Sequence, residues 1–443
     1  MSARNGVAVT GLGVQSALGA GLAAFTAGLR AGVPAVTFEP PADDLPPTLG
    51  VAARLGPSPA GPPPGTDPAT AARLAPLLRR ATRSKRYALL AAVEAWSQAG
   101  LPAAPDTDTG HAAAGAPAPE TRGLDATRAG VVVAGGNQAH QLYQEMGGKF
   151  RASPAFVRPS YALDLWDTDL LGTASELFGA LGDGLTTGGA SAAGNVGLVT
   201  GLRLVRDGYL DVCLVIAPMT ELSPVERMAF FNLGALGAKL VQEPAAERSR
   251  PFDAEHDGFV YGEGAAALLL ESPRHAAARG ATPLARLLGG AVLLHGSRLS
   301  TPSLPDEVRV MRAALADAGL DAGQLDQVNA HATATPLGDE VEAEALREVL
   351  GPHVARPWVN ATKSLTGHCL GASAAIEAVA CVQQLRHGFV HPNANLRQPV
   401  PAAKPLRLAG RRAVEAETRY ALSNAFGFGG INTSVVLAAP AAP

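Results

Sequence analysis

One segment of the second half of the chain ends a predicted strand with an imidazole. Residues 328–339 read VNAHATATPLGD, so that His331 closes the strand and Thr333 and Thr335 follow on a loop before a predicted helix. A histidine in such a place is more often structural than catalytic when it stands alone. Its interpretation therefore depends on what other segments bring beside it.

A second segment places three ionisable side chains close together in an apolar setting. Residues 360–377 read NATKSLTGHCLGASAAIE, with Lys363 and His368 on a loop and Glu377 on the small-residue helix that follows. An amine, an imidazole and a carboxyl group at this spacing indicate a paired, pre-oriented polar site.

A third segment is a glycine-rich loop that contains two aromatic rings. Residues 423–432 read SNAFGFGGIN and contain Phe426, Phe428 and Gly429. Such a loop can present backbone N–H groups while its rings close a pocket. A plain glycine turn between two strands is an equally good interpretation of this loop taken alone.

These segments must be positioned around a strand–turn–helix elbow at residues 184–197, GLTTGGASAAGNVG. Leu185–Thr187 is predicted to end a strand, and Gly188-Gly189 is a turn signal. The helix that follows begins with small residues, so we expect it to pack closely inside the core. Elbows of this kind often display a nucleophile, yet this turn offers only glycine.

Composition limits the class of protein. The 443 residues are 47% hydrophobic and 17% charged, which predicts a large buried core. A net charge of −3 gives no basic field for nucleic acid, and no apolar run is long enough for a membrane span. The three cysteines lack metal-ligand spacing, and the N-terminus enters a strand at once; we therefore expect a cytoplasmic protein without bound metal.

Short buried strands alternate with helices along both halves of the chain, which predicts an α/β protein with a largely parallel sheet covered on both faces. The stretch 74–100 is predicted to be one amphipathic helix ending in glycine. Two stretches rich in Pro, Gly and Ala, at about 34–68 and 101–127, are predicted to be surface insertions.

Five segments together resemble the β-ketoacyl-acyl-carrier-protein synthases, or ketosynthases, of the thiolase superfamily. In order they are VAVTGLGVQSALG, RSRPFDAEHDGFVYGEG, VNAHATATPLGD, TKSLTGHCLGA and SNAFGFGGIN. The resemblance covers the chain outside the two insertions. It implies a pseudo-duplicated, five-layered αβαβα sandwich with halves at 1–270 and 271–443, normally dimeric.

The resemblance also implies roles for the residues singled out above. His331 and His368 would be the two active-site histidines, and Lys363 would support the second histidine together with Glu377. Thr333 and Thr335 would line the tunnel for phosphopantetheine, which arrives on a carrier protein rather than as a bound cofactor. Phe426 would be the gate of the acyl site, and Phe428 and Gly429 would lie beside the substrate.

The departure from the family lies at the elbow, where the family pattern TACxSGxxN carries the nucleophilic cysteine. Anchoring that pattern on Asn195 without a gap places Gly189 at the cysteine position, with Ser191 two residues beyond it. Without a thiolate no acyl-enzyme forms, so Claisen condensation by this chain alone is not expected.

Two functions from different classes remain open. Retention of both histidines favours a malonyl-carrier-protein decarboxylase, similar to the ketosynthase homologues of polyketide β-branching cassettes, in which the cysteine is often described as serine. The alternative is a non-catalytic subunit similar to chain-length factors, which would form a heterodimer with an active ketosynthase. Either function implies an acidic carrier protein as partner, and its docking candidates are Arg79, Arg80, Arg83 and Lys85.

Overall fold

The computed structural model describes residues 6–41, 45–103, 124–237 and 243–440. The strands of the first half are β1 Val7–Ser16, β2 Gly19–Ala20, β3 Thr37–Phe38, β4 Val51–Ala53, β5 Ala129–Ala134, β6 Gly184–Thr187, β7 Val212–Ala217, β8 Tyr261–Gly262 and β9 Gly264–Glu271. Those of the second half are β10 Ala285–Leu294, β11 Gln327–Asn329, β12 Trp358–Asn360, β13 Phe389–Val390, β14 Arg407–Leu408, β15 Val414–Glu415, β16 Tyr420–Gly427 and β17 Ile431–Ala438.

The helices alternate with these strands as the sequence predicts. They are α1 Gly21–Ala31, α2 Pro68–Arg80, α3 Arg83–Gln98, α4 His140–Ala152, α5 Tyr161–Asp164, α6 Thr168–Phe178, α7 Ala193–Arg206, α8 Pro224–Asn232, α9 Pro273–Ala278, α10 Leu304–Ala318, α11 Pro336–Leu350, α12 Lys363–Thr366 and α13 Ser373–His387. In the described part of the chain, no helix is both long enough and apolar enough to span a bilayer.

The main sheet has the strand order β14-β12-β11-β16-β17-β10-β1-β9-β7-β5-β6. The prediction of a largely parallel sheet is wrong for its centre. The outer strands pair in parallel, but β16, β17, β10, β1, β9 and β7 pair antiparallel in succession. Within this sheet, the strands of the two halves of the chain are joined through the β1–β10 pair.

Alternate side chains of each central strand enter different layers of the core. In β9, Ala266, Leu268 and Leu270 pack into one hydrophobic cluster with α7 and α13, while Ala265, Ala267 and Leu269 pack against α3 in another. In β17, Val435 and Leu437 face the central helices, and Val436 faces α10 and α11. This alternation produces the five layers that the family resemblance implies.

The helix after the elbow lies in the central layer, as predicted, because its glycines allow close approach. A Cβ built on Gly194 would lie 2.4 Å from the Ala375 nitrogen of α13, and one on Gly197 would lie 2.5 Å from the Ala134 Cβ of β5. Both helices of this layer are therefore fixed against each other where they carry the site.

Two predicted stretches differ from the structure. The helix expected over 74–100 is divided into α2 and α3, because Thr82 accepts a hydrogen bond from the Lys85 nitrogen and so begins a new helix. The insertion at 34–68 contributes β3 and β4, which join β8 in a small sheet. Of the insertion at 101–127, residues 104–123 lie outside the described residues.

Candidate active site

The elbow between β6 and α7 presents a hydroxyl group to a histidine. Ser191 lies in a 3-10 turn after Ala190, whose φ of +46° is left-handed, and its Oγ is 2.8 Å from His368 Nε2. The other ring nitrogen, Nδ1, is 2.9 Å from the Ser373 hydroxyl. The side chain that meets the histidine at this elbow is therefore a serine.

The placement of the missing cysteine at Gly189 is not supported by this geometry. A Cβ on Gly189 would lie 2.9 Å from Val196 Cγ2 and 3.0 Å from the Ala193 Cα, so a side chain there would collide with α7. At this elbow it is Ser191, not Gly189, that contacts His368; which of the two positions corresponds to the family's cysteine stays a prediction.

The two predicted histidines come together although they belong to separate segments of the chain. The rings of His331 and His368 lie with centroids 5.8 Å apart, nearly perpendicular at 84°. The Phe426 ring is 5.5 Å from that of His331, and Phe259, which the sequence analysis did not single out, is 5.2 Å from His368. Two imidazoles thus share an apolar, aromatic wall.

Lys363 supports the first histidine rather than the second, which corrects the predicted pairing. Its Nζ is 3.4 Å from His331 Nδ1, donates to the His331 carbonyl at 2.6 Å and donates to Glu377 Oε1 at 2.5 Å. Because an amine or ammonium group donates here, His331 Nδ1 acts as acceptor and Nε2 carries the ring proton. Lys363 and Glu377 are buried behind the histidines.

Burial and the Lys363 charge lower the pKa of both histidines well below its ordinary value. Both rings are therefore neutral at neutral pH and can donate an N–H hydrogen bond without carrying a charge. The pKa of Glu377 is raised by its burial, although Lys363 opposes that effect. The site thus offers neutral donors in a medium of low polarity.

A carboxylate that the sequence analysis did not find holds the His331 loop. Glu342 accepts from the His331 nitrogen at 2.9 Å and from the Ala332 nitrogen at 2.7 Å, and Asn424 donates to it at 3.1 Å. Burial raises the pKa of Glu342 to about 7. The feature of the sequence that could have identified Glu342 is its place on the buried face of a predicted helix.

Both histidines open into one cavity of about 740 Å³. Besides the histidines, the cavity is lined by residues that the sequence analysis named, which are Gly189, Ser191, Thr333, Thr335, Phe426 and Phe428. It is also lined by residues that the sequence analysis did not name, among them His140, Glu226, His295, Glu307 and Asn432. The Thr333 and Thr335 hydroxyls lie 3.0 Å apart. Gly429 turns with φ +86° but does not line this cavity.

None of the three cysteines in the sequence lines the cavity. Cys213, Cys369 and Cys381 are buried, and burial raises the pKa of each thiol above its ordinary value. Cys369 follows His368 directly, but its sulfur faces the Thr366 carbonyl. In the described residues, no group of three or more His, Cys, Asp and Glu side chains is arranged to hold a metal ion.

The four predicted docking residues fall into two pairs. Arg79 and Arg80 are exposed at the end of α2. Arg83 instead lies 2.6 Å from Glu263 Oε2, and Lys85 lies 2.7 Å from Asp169 Oδ2, so both are engaged in intramolecular ion pairs.

The two domain models of the beta-ketoacyl synthase family match this chain along most of its length. Residues 4–276 match the beta-ketoacyl synthase N-terminal domain, and residues 284–397 match the beta-ketoacyl synthase C-terminal domain. The polyketide biosynthesis malonyl-ACP decarboxylase PksF of Bacillus subtilis (strain 168) is 34% identical over 361 residues, which are 82% of this chain and 81% of that protein. Nodulation protein E of Rhizobium leguminosarum bv. trifolii is 34% identical over 358 residues, 79% of this chain and 80% of that protein.

Solved structures share the same architecture. A type II polyketide synthase ketosynthase in complex with its acyl-carrier protein (AntDE:AntF) superposes with a TM-score of 0.83 at 25% identity, covering 98% of this chain and 100% of the other. A beta-ketoacyl synthase from Burkholderia phymatum STM815 superposes with a TM-score of 0.82 at 29% identity, covering 98% and 99%. With the sequence matches and the paired histidines, this likeness shows that the chain belongs to the beta-ketoacyl synthase family.

Proposed function

We propose that this protein decarboxylates the malonyl thioester of an acyl carrier protein to the acetyl thioester in polyketide biosynthesis. The observation that carries the proposal is the pair of neutral imidazoles that share one cavity with a serine, and no cysteine, at the elbow. The similarity to the malonyl-ACP decarboxylase PksF of Bacillus subtilis supports the same activity.

The chemistry of decarboxylation needs only what this cavity contains. As carbon dioxide leaves, negative charge collects on the thioester oxygen, and the His331 and His368 N–H groups can stabilise it. A well-placed donor of this kind is worth about 3 kcal/mol. The neighbouring rings of Phe259 and Phe426 provide the apolar surroundings from which a carboxylate departs most readily.

Condensation needs an acyl-enzyme, and Ser191 is a weaker nucleophile than a thiolate. Its histidine partner is oriented by the Ser373 hydroxyl, not by a carboxylate that would stabilise a charged imidazolium. We therefore infer that the enzyme releases acetyl thioester instead of extending an acyl chain.

The test uses the full-length protein with malonyl-pantetheine and, separately, malonyl-loaded carrier protein, with products read by mass spectrometry. The wild-type protein should form acetyl thioester. His331→Ala and His368→Ala should each lower kcat by about 100-fold or more, the effect of losing one such donor. Exposed His353→Ala, remote from the cavity, is the matched control.

The chain-length-factor alternative makes the opposite prediction. A structure of the ishigamide ketosynthase/chain length factor superposes on this chain with a TM-score of 0.81 at 28% identity. An inactive protein that forms a stable heterodimer with a cysteine-bearing ketosynthase on co-expression would replace the decarboxylase proposal with this alternative.

A further inference from the structure

Decarboxylation that is not followed by condensation requires a proton for the enolate, whereas condensation does not. Loss of carbon dioxide from a malonyl thioester leaves an enolate, which a condensing enzyme consumes by attack on an acyl group. If the proposed function holds, no acyl group is present here, and C2 of the enolate must receive a proton to become the methyl group of acetyl. A proton donor must therefore face the cavity.

One buried carboxyl group at the cavity has an oxygen that is not hydrogen-bonded. Glu307 lies on α10, lines the cavity and is 1% exposed, and its Oε2 has no hydrogen-bond partner among the described residues. It falls on the apolar stripe of α10 with Leu304, Val308 and Met311, where burial of a carboxyl oxygen without a hydrogen-bond partner costs free energy.

The helical turn after Glu307 contacts the network that holds the histidine loop. Met311, one turn further along α10, lies 3.3 Å from Asn424 Nδ2, and the same amide donates to Glu342, which holds the His331 and Ala332 nitrogens. Burial, and to a lesser degree the Glu342 charge, raise the pKa of Glu307 well above its ordinary value. This shift favours the protonated form of Glu307, the form that can donate a proton.

Other groups around the cavity are poorer sources. The neutral N–H groups of His331 and His368 and the hydroxyl of Ser191 are far weaker acids than a carboxyl group. Glu226 also lines the cavity, but its hydrogen bonds with Ser223 and the charge of His140 hold its pKa below its ordinary value against the opposing effect of its burial, so it is ionised. Lys363 is directed to His331 and Glu377 behind the wall.

We propose that Glu307 donates the proton that converts the enolate into the acetyl thioester. The bond between C2 and the carboxylate breaks, and its electron pair remains on the enolate as carbon dioxide leaves. The Glu307 O–H bond then breaks as the C2–H bond forms, and the Glu307 carboxylate takes a proton from water before the next turnover. One proton is consumed for each carbon dioxide released.

Glu307→Gln tests this assignment, since glutamine keeps the shape of the neutral acid but cannot give its proton. Full-length protein is supplied with malonyl-pantetheine in an equal mixture of H₂O and D₂O. We expect kcat to fall by about 100-fold, the lower end for loss of a general acid, with KM unchanged. The hydrogen-to-deuterium ratio in the acetyl methyl group should also change, because water becomes the donor.

Two further variants keep the result interpretable. Glu344→Gln, on the exposed face of α11, should match the wild type in both kcat and isotope ratio. Glu307→Asp, which retains an acid, should recover part of the rate with the wild-type ratio, even if the glutamine variant folds poorly.

The outcomes separate the two proposals. An active wild type whose rate and isotope ratio are the same in Glu307→Gln would overturn the role of Glu307 and leave the decarboxylase intact. A wild type that forms no acetyl thioester would overturn both.

Discussion

Each imidazole of the site is held by a different kind of neighbour. Lys363 and the Glu342 carboxylate hold His331 through its ring and its backbone, whereas two serine hydroxyls, at positions 191 and 373, hold both nitrogens of His368. Both rings remain neutral because burial lowers their pKa. The first histidine therefore has a defined donor, and the second exchanges hydrogen bonds with hydroxyls that a substrate oxygen can replace.

Ser191→Cys should restore a reactive thiol next to His368, because the serine Oγ already lies within hydrogen-bond distance of that ring. Iodoacetamide should label the variant at residue 191 under native conditions, while the buried cysteines of the wild type react slowly. Peptide mass spectrometry gives the site of labelling.

Gly189→Cys is the paired variant, and its Cβ would collide with Val196 and Ala193. We expect it to lower Tm without adding a reactive thiol. The opposite result would be rapid labelling of the Gly189→Cys variant and no labelling at residue 191 of the Ser191→Cys variant. It would show that residue 189, and not residue 191, presents a side chain to the site.

At the scale of elements, the same kind of backbone turn occurs once in each half of the chain. Ala190 (φ +46°) and Leu370 (φ +49°) each begin a 3-10 turn that leads into a central helix, α7 or α13. One elbow carries Ser191 and the other follows His368, so the contact between the two helices sets the distance between the serine and the histidine. The two turns share their backbone conformation and their small residues.

Gly194→Ala should destabilise this contact, since the new Cβ would lie 2.4 Å from the Ala375 nitrogen. Overpacking of this kind costs about 1–3 kcal/mol, measurable by urea unfolding. Gly172→Ala on α6, where a Cβ meets no described atom within 4 Å, is the control and should stabilise the helix by roughly 0.5–1 kcal/mol. Equal unfolding curves for both variants would show that the crossing tolerates a methyl group.

At the scale of the whole molecule, the proposed carrier protein must reach the cavity from a charged surface. Arg79 and Arg80 are exposed at the end of α2, whereas Arg83 and Lys85 already bind Glu263 and Asp169. The first pair can therefore meet an acidic partner more readily than residues that would have to leave an internal ion pair. The dimer, whether with a second copy or with a ketosynthase, stays a prediction.

Arg79→Glu combined with Arg80→Glu should raise KM for malonyl-loaded carrier protein several-fold, because reversed charges slow encounter with an acidic partner. The KM for malonyl-pantetheine, which has no protein surface, should stay the same and serves as the internal control. An unchanged KM for the carrier protein would remove this pair from the docking surface.

The sequence by itself determined the family, the alternation of strands and helices, the buried helix after the elbow and the two histidines. Those features depend on local patterns: motif letters, periodicity and small residues at a helix start. It was wrong about the parallel centre of the sheet, the single helix over 74–100 and the partner of Lys363.

Only the tertiary structure decided which side chains meet, because those contacts join residues far apart in the chain. Ser191 and His368 lie 177 positions apart in the chain. A shift of two residues at the turn decides whether residue 189 or residue 191 faces the His368 ring. Glu307 is one glutamate among many in the sequence, and only the tertiary structure shows that its carboxyl group is buried beside the cavity. Local patterns specify elements, whereas the packing of α7 against α13 and of α10 against the sheet specifies the chemistry.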